Sequence, residues 1–263
     1  MIRYENFRGD KMEKDLVSVI VPVYNAESFL EDTIQTVLNQ TYTNWEMICI
    51  NDSSKDNSVE IIEKYVKLDN RIKLINLEKN SGVSIARNTG VNASNGKYIA
   101  YLDADDLWEK EKLEKQVKFM QSGNYEFSFT GYEFADENGI ANGKIVKIPE
   151  KMNYKQALKN TTIWTSTVML NVEKLGKELI QMPVFKRGED SATWWKILRQ
   201  IEYAYGINEV LSYYRRTNTS LSANKIMAIK RTWYIYRKEE KLGFFSSLYN
   251  FAWYIFNAVK RRV

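Results

Sequence analysis

The sequence predicts an α/β protein built on a mainly parallel sheet, and three observations predict it. β-Branched runs alternate with helical stretches from residue 16 to residue 121, the pattern of strands joined by right-handed helical crossovers. The runs are almost continuously apolar, as strands buried on both faces are. Polar and acidic residues collect just after the runs, and in open parallel sheets ligands bind beyond the carboxyl ends of the strands.

The elements follow in order. LVSVIVPV (16–23) is the first buried strand, and YNAES follows it. FLEDTIQTVLNQ spaces Phe29, Ile34, Val37 and Leu38 on one helical face. WEMICI (45–50) is the second strand. The turn cluster NDSSKDNS offers Ser54 or Asp56 as N-cap for the helix SVEIIEKYVKL. RIKLINL (71–77) is the third strand, SGVSIARNTGVNAS a helix opened by Ser81, and GKYIAYL (96–102) the fourth strand. EKEKLEKQVKFMQ (109–121) is a helix with Leu113, Val117 and Met120 together. The alternation then stops. YEFSFTGYEF (125–134) reads as a strand, ENGIANG as a hairpin turn, TSTVMLN (165–171) as a strand, RGEDSATWWKILRQ (187–200) as a loop entering a helix, and YAYGINEVLSYYRR as a strand. This half reads as an α+β region beside the crevice.

Composition excludes several chemistries. The chain of 263 residues has no histidine, so neither a Ser-His-Asp triad nor an HExxH zinc site is possible. The single cysteine, Cys49, lies in the apolar run MICI and reads as a core residue in a reducing compartment. Acid–base work therefore falls to carboxylates. The net charge of +5 is uneven: from Lys225 onward nine Lys or Arg face two Glu, which leaves −2 for the first 224 residues. The body is thus not a nucleic-acid binder. The opening MIRYENFRGDKMEKD has no apolar core of a signal peptide, and Met12 reads as an alternative translation start.

YLDADDLW (101–108) crowds Asp103, Asp105 and Asp106 at the end of the fourth strand. Unpaired carboxylates this close raise one another's pKa, so the crowding suits a bound cation. Mg²⁺ and Mn²⁺ take carboxylate oxygens and leave positions open for phosphates. An acidic loop capping the next helix would account for these residues taken alone.

The companion loops add a family resemblance. SVIVPVYNAESFLEDTIQTVLNQTY, ICINDSSKDNS, NSGVSIARNTGVNASNGKYIAYLDADD and RGEDSATWWKIL occur in that order over residues 16–200. The chain resembles a family 2 glycosyltransferase of the GT-A fold, bacterial surface-polysaccharide type. The resemblance implies an inverting transfer of a sugar, hexosyl or N-acetylhexosaminyl, from a nucleotide-sugar, with UDP the preferred carrier. It implies an N-terminal tail (1–15), a nucleotide-sugar-binding subdomain (16–135), an acceptor-binding subdomain (136–222) and a basic, aromatic helical tail (223–263).

Carried over by position, Pro22, Tyr24 and Asp52 would contact the base and ribose of the donor, and Arg87 would lie near the nucleotide. Asp103 would face ribose or metal-bound water, and Asp105 the divalent cation, Mn²⁺ or Mg²⁺. Asp190 matches the base that takes the acceptor proton, with Glu189 beside it. Asp52 as a turn residue, Arg87 as a surface ion pair and Glu189–Asp190 as helix-start acids are the plainer alternatives. Trp194 and Trp195 offer an acceptor platform, although core packing suits at least one of them better. Many relatives carry a histidine in a later segment; YYRRTNTSLS (213–222) has none, and Arg215 or Arg216 would grip the diphosphate instead.

FFSSLYNFAWYIFNAVKRRV spaces aromatic and aliphatic residues helically, with Ser246, Asn250 and Asn257 on a narrower polar face and basic residues flanking. That fits a helix lying in a membrane interface, or one packed on the body. The resemblance implies a saccharide or polyprenol-linked saccharide acceptor and a cytoplasmic enzyme peripheral on the inner face of the membrane. Two other classes stay open: a sugar-nucleotide nucleotidyltransferase, against which the glycine-free loop VPVYNAESFL speaks, and a non-catalytic nucleotide-sugar-binding module that would not need Asp190.

Overall fold

The structure, a computed structural model, describes residues 13–160, 162–184, 188–216 and 225–260. The alternative start at Met12, most of the YYRRTNTSLS segment, the loop before Gly188 and the last three residues lie outside the described residues.

The first half is the expected alternation: β1 (Glu13–Val23), α1 (Leu30–Leu38), β2 (Trp45–Asn51), α2 (Ser58–Leu68), β3 (Ile72–Asn76), α3 (Val83–Ala93), β4 (Gly96–Tyr101). A short β5 (Leu107–Trp108) precedes α4 (Lys112–Ser122). Then come β6 (Phe127–Ala135), β7 (Ala141–Val146), β8 (Lys151–Met152), α5 (Tyr154–Ala157), β9 (Met169–Asn171), α6 (Val172–Leu175), α7 (Lys177–Ile180), α8 (Glu189–Leu198) and β10 (Ala204–Arg215). α9 (Lys225–Tyr234) runs through a π turn (Ile235–Glu239) towards α10 (Phe244–Lys260).

One sheet runs through both halves, in the order β3-β2-β1-β4-β9-β6-β10-β5. β1 is parallel to β2 and β4, and β2 to β3. β9 is antiparallel to both β4 and β6, and so joins the parallel set to the second half. Alternate residues fill two cores. Ile20, Ile48, Ile50, Ile99 and Tyr101 face one, and Val19, Val21, Met47, Cys49 and Ala100 the other. This two-sided burial is why the runs read as continuously apolar. It also leaves Cys49 sealed in, its thiol pushed up to about 12 by burial.

Gly90 explains the helical TGV step. A Cβ there would lie 2.6 Å from Ile20 Cγ2 and 2.8 Å from Ile50 Cδ1, so α3 packs directly on β1 and β2. Gly90→Val is expected to destabilise the fold by about 1–3 kcal/mol through overpacking, read as a lower urea midpoint at constant slope.

Three elements differ from expectation. Neither Ser54 nor Asp56 is the N-cap of α2: that position is Asn57, which makes no side-chain cap hydrogen bond, and Asp56 Oδ1 accepts from Ser58 N at 3.1 Å. Residues 165–171 are not one strand: Thr165–Thr167 form a 3₁₀ turn, and pairing starts at Met169. The hydroxyls compete with the ladder; Thr167 Oγ1 donates to the Trp164 carbonyl at 2.6 Å. Ser81 does not cap α3. The cap is Gly82, with φ 90°, and the acid that satisfies this helix start is Asp52 from another loop.

Candidate active site

The carboxyl ends of β1, β2 and β4 open on one crevice. β1 and β4 stay paired as far as Ile20 with Tyr101, and Leu102 N donates to Ile20 O at 3.0 Å. Pro22 lies past that last pair, so its missing N–H costs no ladder bond. Tyr24 is 51 % exposed at the rim. Asn25, with φ 49°, locks the VPVYN loop to NDSS: its N–H donates to Ser54 Oγ, and its Oδ1 accepts from Lys55 N at 2.8 Å.

Asp52 is buried, its Oδ1 accepting from Ser81 N at 2.7 Å and its Oδ2 from Gly82 N at 2.8 Å. It therefore fixes the start of α3, and each oxygen keeps a further lone pair for a ligand.

The three carboxylates after β4 have three different surroundings. Asp106 is fully buried and structural. Its Oδ2 accepts from Trp164 Nε1 at 2.9 Å and Ser166 Oγ at 2.5 Å, and its Oδ1 from Arg215 N at 3.2 Å. Burial, then Asp105 and Asp103, hold its carboxyl well above the usual range. Thr33 of α1 clamps the same loop by donating to the carbonyls of Ala104 and Asp106. Asp103 is held by Arg87, whose Nη2 lies 2.5 Å from Oδ1. Asp105 forms no ion pair among the described residues. Burial and the Asp103 charge push its carboxyl up to about 6, against the pull of Arg215 and Arg87.

Glu189 and Asp190 open α8 behind Gly188, which is left-handed (φ 85°) and pressed against Ile235 and Arg231. Glu189 is buried, 3.1 Å from Arg87 Nη1. Burial and the neighbouring Asp190 raise its pKa, and Arg87 opposes them. Asp190 is partly open, its Oδ1 accepting from Ser191 N at 2.6 Å and its Oδ2 facing Thr165 Oγ1 at 3.5 Å.

The structure thus gathers Asp103, Asp105, Glu189, Asp190 and Arg87 into one cluster, with Asp52 at the start of α3, about one turn before Arg87. Arg215, expected to grip the diphosphate, is engaged with protein groups in this structure. It is 1 % exposed, paired with Asp32 at 3.0 Å, donates to the Glu137 carbonyl and lies over the Phe29 ring. Arg216 is exposed over Phe134. Neither tryptophan is a platform: both are 2 % exposed, Trp194 against Tyr101 and Phe127, and Trp195 stacked on Tyr236. Sequence reasoning missed Trp164, Thr165 and Ser166, which reach Asp106, Asp190 and the Asp103 N–H. Only the run of hydroxyls ahead of a short strand hinted at them.

A divalent cation fits this donor set. Asp103 and Asp105 supply the hard carboxylate oxygens that Mg²⁺ and Mn²⁺ take, ions that fill their remaining positions with water and phosphate. Among the described residues no group of three or more His, Cys, Asp or Glu is placed to hold a metal ion.

Comparison with known proteins agrees with this geometry. The family model "Glycosyl transferase family 2" matches residues 18–177. The chain is 45 % identical over 250 residues to TuaG of Bacillus subtilis (strain 168), a glycosyltransferase assigned to teichuronic acid biosynthesis, covering 95 % of this chain and 98 % of that one. It is 38 % identical over 223 residues to the Escherichia coli UDP-Glc:alpha-D-GlcNAc-diphosphoundecaprenol beta-1,3-glucosyltransferase WfgD, covering 84 % and 85 %. Among solved structures, S. aureus TarS 1-349 in complex with UDP-GlcNAc superposes with a TM-score of 0.70 at 18 % identity, over 91 % of this chain and 71 % of that one. The mannosyltransferase PcManGT from Pyrobaculum calidifontis, in complex with GDP-Man and Mn²⁺, gives 0.67 at 19 %, over 86 % and 64 %. With this sheet, this carboxylate cluster and these relatives, the chain is a glycosyltransferase of GT-A fold and belongs to glycosyl transferase family 2.

Proposed function

We propose that the chain transfers a sugar, with inversion, from a UDP-sugar to a hydroxyl of a lipid-diphosphate-linked saccharide. The observation that carries this reading is the convergence of Asp103 and Asp105 with Glu189 and Asp190 around one arginine. The two pairs divide the work: Asp103 and Asp105 face donor activation, and Asp190, the partly exposed member of the second pair, faces proton removal. The names of WfgD and WfaP, which specify UDP-Glc and a GlcNAc-diphosphoundecaprenol acceptor, support the substrate class.

Pro22, Tyr24 and Asp52 form the base and ribose end of the crevice. Asp105 would hold Mn²⁺ or Mg²⁺ directly, and Asp103 would hold it through water or bind ribose. When bound, the cation neutralises the diphosphate of the departing nucleotide. Asp190 takes the proton of the attacking hydroxyl at its open carboxylate edge. Arg215 acts on Asp105 from below, as a buried positive charge, more than as a grip on the diphosphate.

A lipid-linked acceptor supports a site of action at the inner face of the cytoplasmic membrane. No helix among the described residues is long and apolar enough to cross a membrane. α10 supplies a surface contact instead, because it turns its aromatic side outward.

Thermal shift with UDP, GDP and dTDP, each with and without Mn²⁺, tests the donor site. UDP is expected to stabilise the chain only weakly alone and by several degrees more with Mn²⁺, and Asp105→Asn is expected to erase the Mn²⁺-dependent part alone. An equal response to all three nucleotides, or one that Asp105→Asn leaves intact, would reject the assignment.

A further inference from the structure

We propose that Arg87 is a positioning residue that ties the donor-side carboxylate to the acceptor-side helix, and that it yields its hold on Asp103 when a divalent cation arrives. The proposal rests on the reading of this cluster as a transfer site. It differs from the expectation that Arg87 contacts the nucleotide. The side chain is 4 % exposed, and its two terminal nitrogens are already committed. Nη2 lies 2.5 Å from Asp103 Oδ1, and Nη1 lies 3.1 Å from Glu189 Oε1 and 3.8 Å from Met182 Sδ. Nε is buried without a hydrogen bond.

The geometry of α3 makes this a tie between separate parts of the chain. One end of the helix is held by Asp52. One residue after Arg87, Asn88 clamps the backbone of Met182 with two hydrogen bonds of 2.8 and 2.7 Å. Arg87 itself reaches the end of β4 and the start of α8, 16 and 102 residues away. A planar guanidinium presents separate nitrogens in a fixed fork and so sets the geometry between two carboxylates; a lysine ammonium can touch two but fixes neither direction. Arg87 stands where it offsets the repulsion between Asp103 and the Glu189–Asp190 pair. A cation on Asp103 and Asp105 would take over one half of that task. The guanidinium would then act on Glu189 alone and hold the first turn of α8, and so Asp190, in register with the donor.

The proposal makes a prediction of definite sign. Arg87 is a positive charge beside a cation site, so removing it should tighten cation binding. In Arg87→Met, the Mn²⁺ concentration that half-saturates the UDP-bound protein is expected to fall at least about threefold, because a repelling charge has gone. Turnover is expected to fall at least about tenfold through lost alignment, with the donor KM little changed. Arg87→Lys is expected to keep the wild-type Mn²⁺ midpoint yet share the turnover loss. A weaker UDP response with a raised Mn²⁺ midpoint would show that Arg87 grips the nucleotide, and would overturn the proposal. So would unchanged turnover in Arg87→Met. A ligand-free test stands apart from the donor reading. The urea midpoints of Arg87→Met, Glu189→Gln and the double variant are expected to be strongly non-additive, as for groups in one ion pair. Additive shifts would refute the tie even if the donor site proves correct. A wild-type chain with no UDP or Mn²⁺ response would instead refute the donor reading.

Discussion

Asp190→Asn is expected to lower turnover by about 10²- to 10⁴-fold, the span that loss of a general base produces, with UDP binding little changed. The substitution is a clean one. Asn is isosteric: its Oδ1 can still accept from Ser191 N, and its Nδ2 replaces the oxygen that faces Thr165 Oγ1 and can donate to that hydroxyl. The Gly188 turn and the first turn of α8 therefore keep their geometry. On the proposed reading, what disappears is the proton acceptor, and no histidine in the chain can replace it. Glu189 is badly placed to do so, being buried and already paired with Arg87 at 3.1 Å. Steady-state kinetics with a UDP-sugar and a lipid-diphosphate-linked acceptor, alongside UDP titration by calorimetry, check the prediction. An Asp190→Asn enzyme within about tenfold of wild type, beside a dead Glu189→Gln enzyme, would move the base to Glu189. A protein that binds UDP but transfers nothing before or after substitution would be a binding module. Glu189→Gln is expected to cost less turnover, because it weakens an ion pair that aligns the base and does not remove the base itself.

The parallel half of the fold was legible because its signals are local. Each β-branched run is long enough to be a strand, and each helix carries its own apolar face. The positions of the donor-side acids followed from the same reading, since a strand end is a sequence feature. Which acid does what was not legible. Asp103, Asp105 and Asp106 lie within four residues, yet one is paired with Arg87, one is open and one is buried under Trp164 and Ser166. Those partners come from 16 to 60 residues away, and nothing in the spacing announces them. Arg215 shows the same limit. The missing histidine suggested it as a diphosphate grip, and nothing in the sequence announced that Asp32, 183 residues earlier, pairs with its guanidinium. The two tryptophans were ambiguous for a simpler reason: a sugar platform and a core ring look alike until their exposure is known.

The second large effect concerns α10, where Phe245→Ser combined with Phe256→Ser is expected to lower partitioning onto anionic vesicles by about 10²-fold. The helix packs the reverse of what burial alone would choose. Ser247 and Asn250 face the protein, while Phe245 is 83 % exposed, Phe256 57 % and Trp253 43 %. The inward polar groups are satisfied cheaply: Ser247 Oγ donates to Gly243 O, Asn250 Nδ2 to Ser246 O and Asn257 Nδ2 to Lys159 O. A few rings, Phe251 on Trp233 among them, hold the helix in place. The outer face is thus left for an apolar partner, and its 17 residues extend about 25 Å. Exposed Lys238 and Lys241, with half-buried Arg237, outnumber exposed Glu239 just before it and favour anionic lipid over a second copy, whose like charges would repel. Each ring withdrawn from the interface is worth about 1.5 kcal/mol, so two give about 3 kcal/mol, or roughly two decades. Sedimentation with phosphatidylglycerol-containing vesicles reads the loss directly. Substitution is a better probe than removing α10, because removal would uncover Trp233 and Tyr236. Lys238→Glu with Lys241→Glu is expected to weaken binding to anionic vesicles and leave binding to neutral ones unchanged. Partitioning that ignores both pairs of substitutions would reject the membrane face. If the phenylalanine substitutions instead abolish a concentration-dependent dimer, the outer side of α10 belongs to a second copy of the chain.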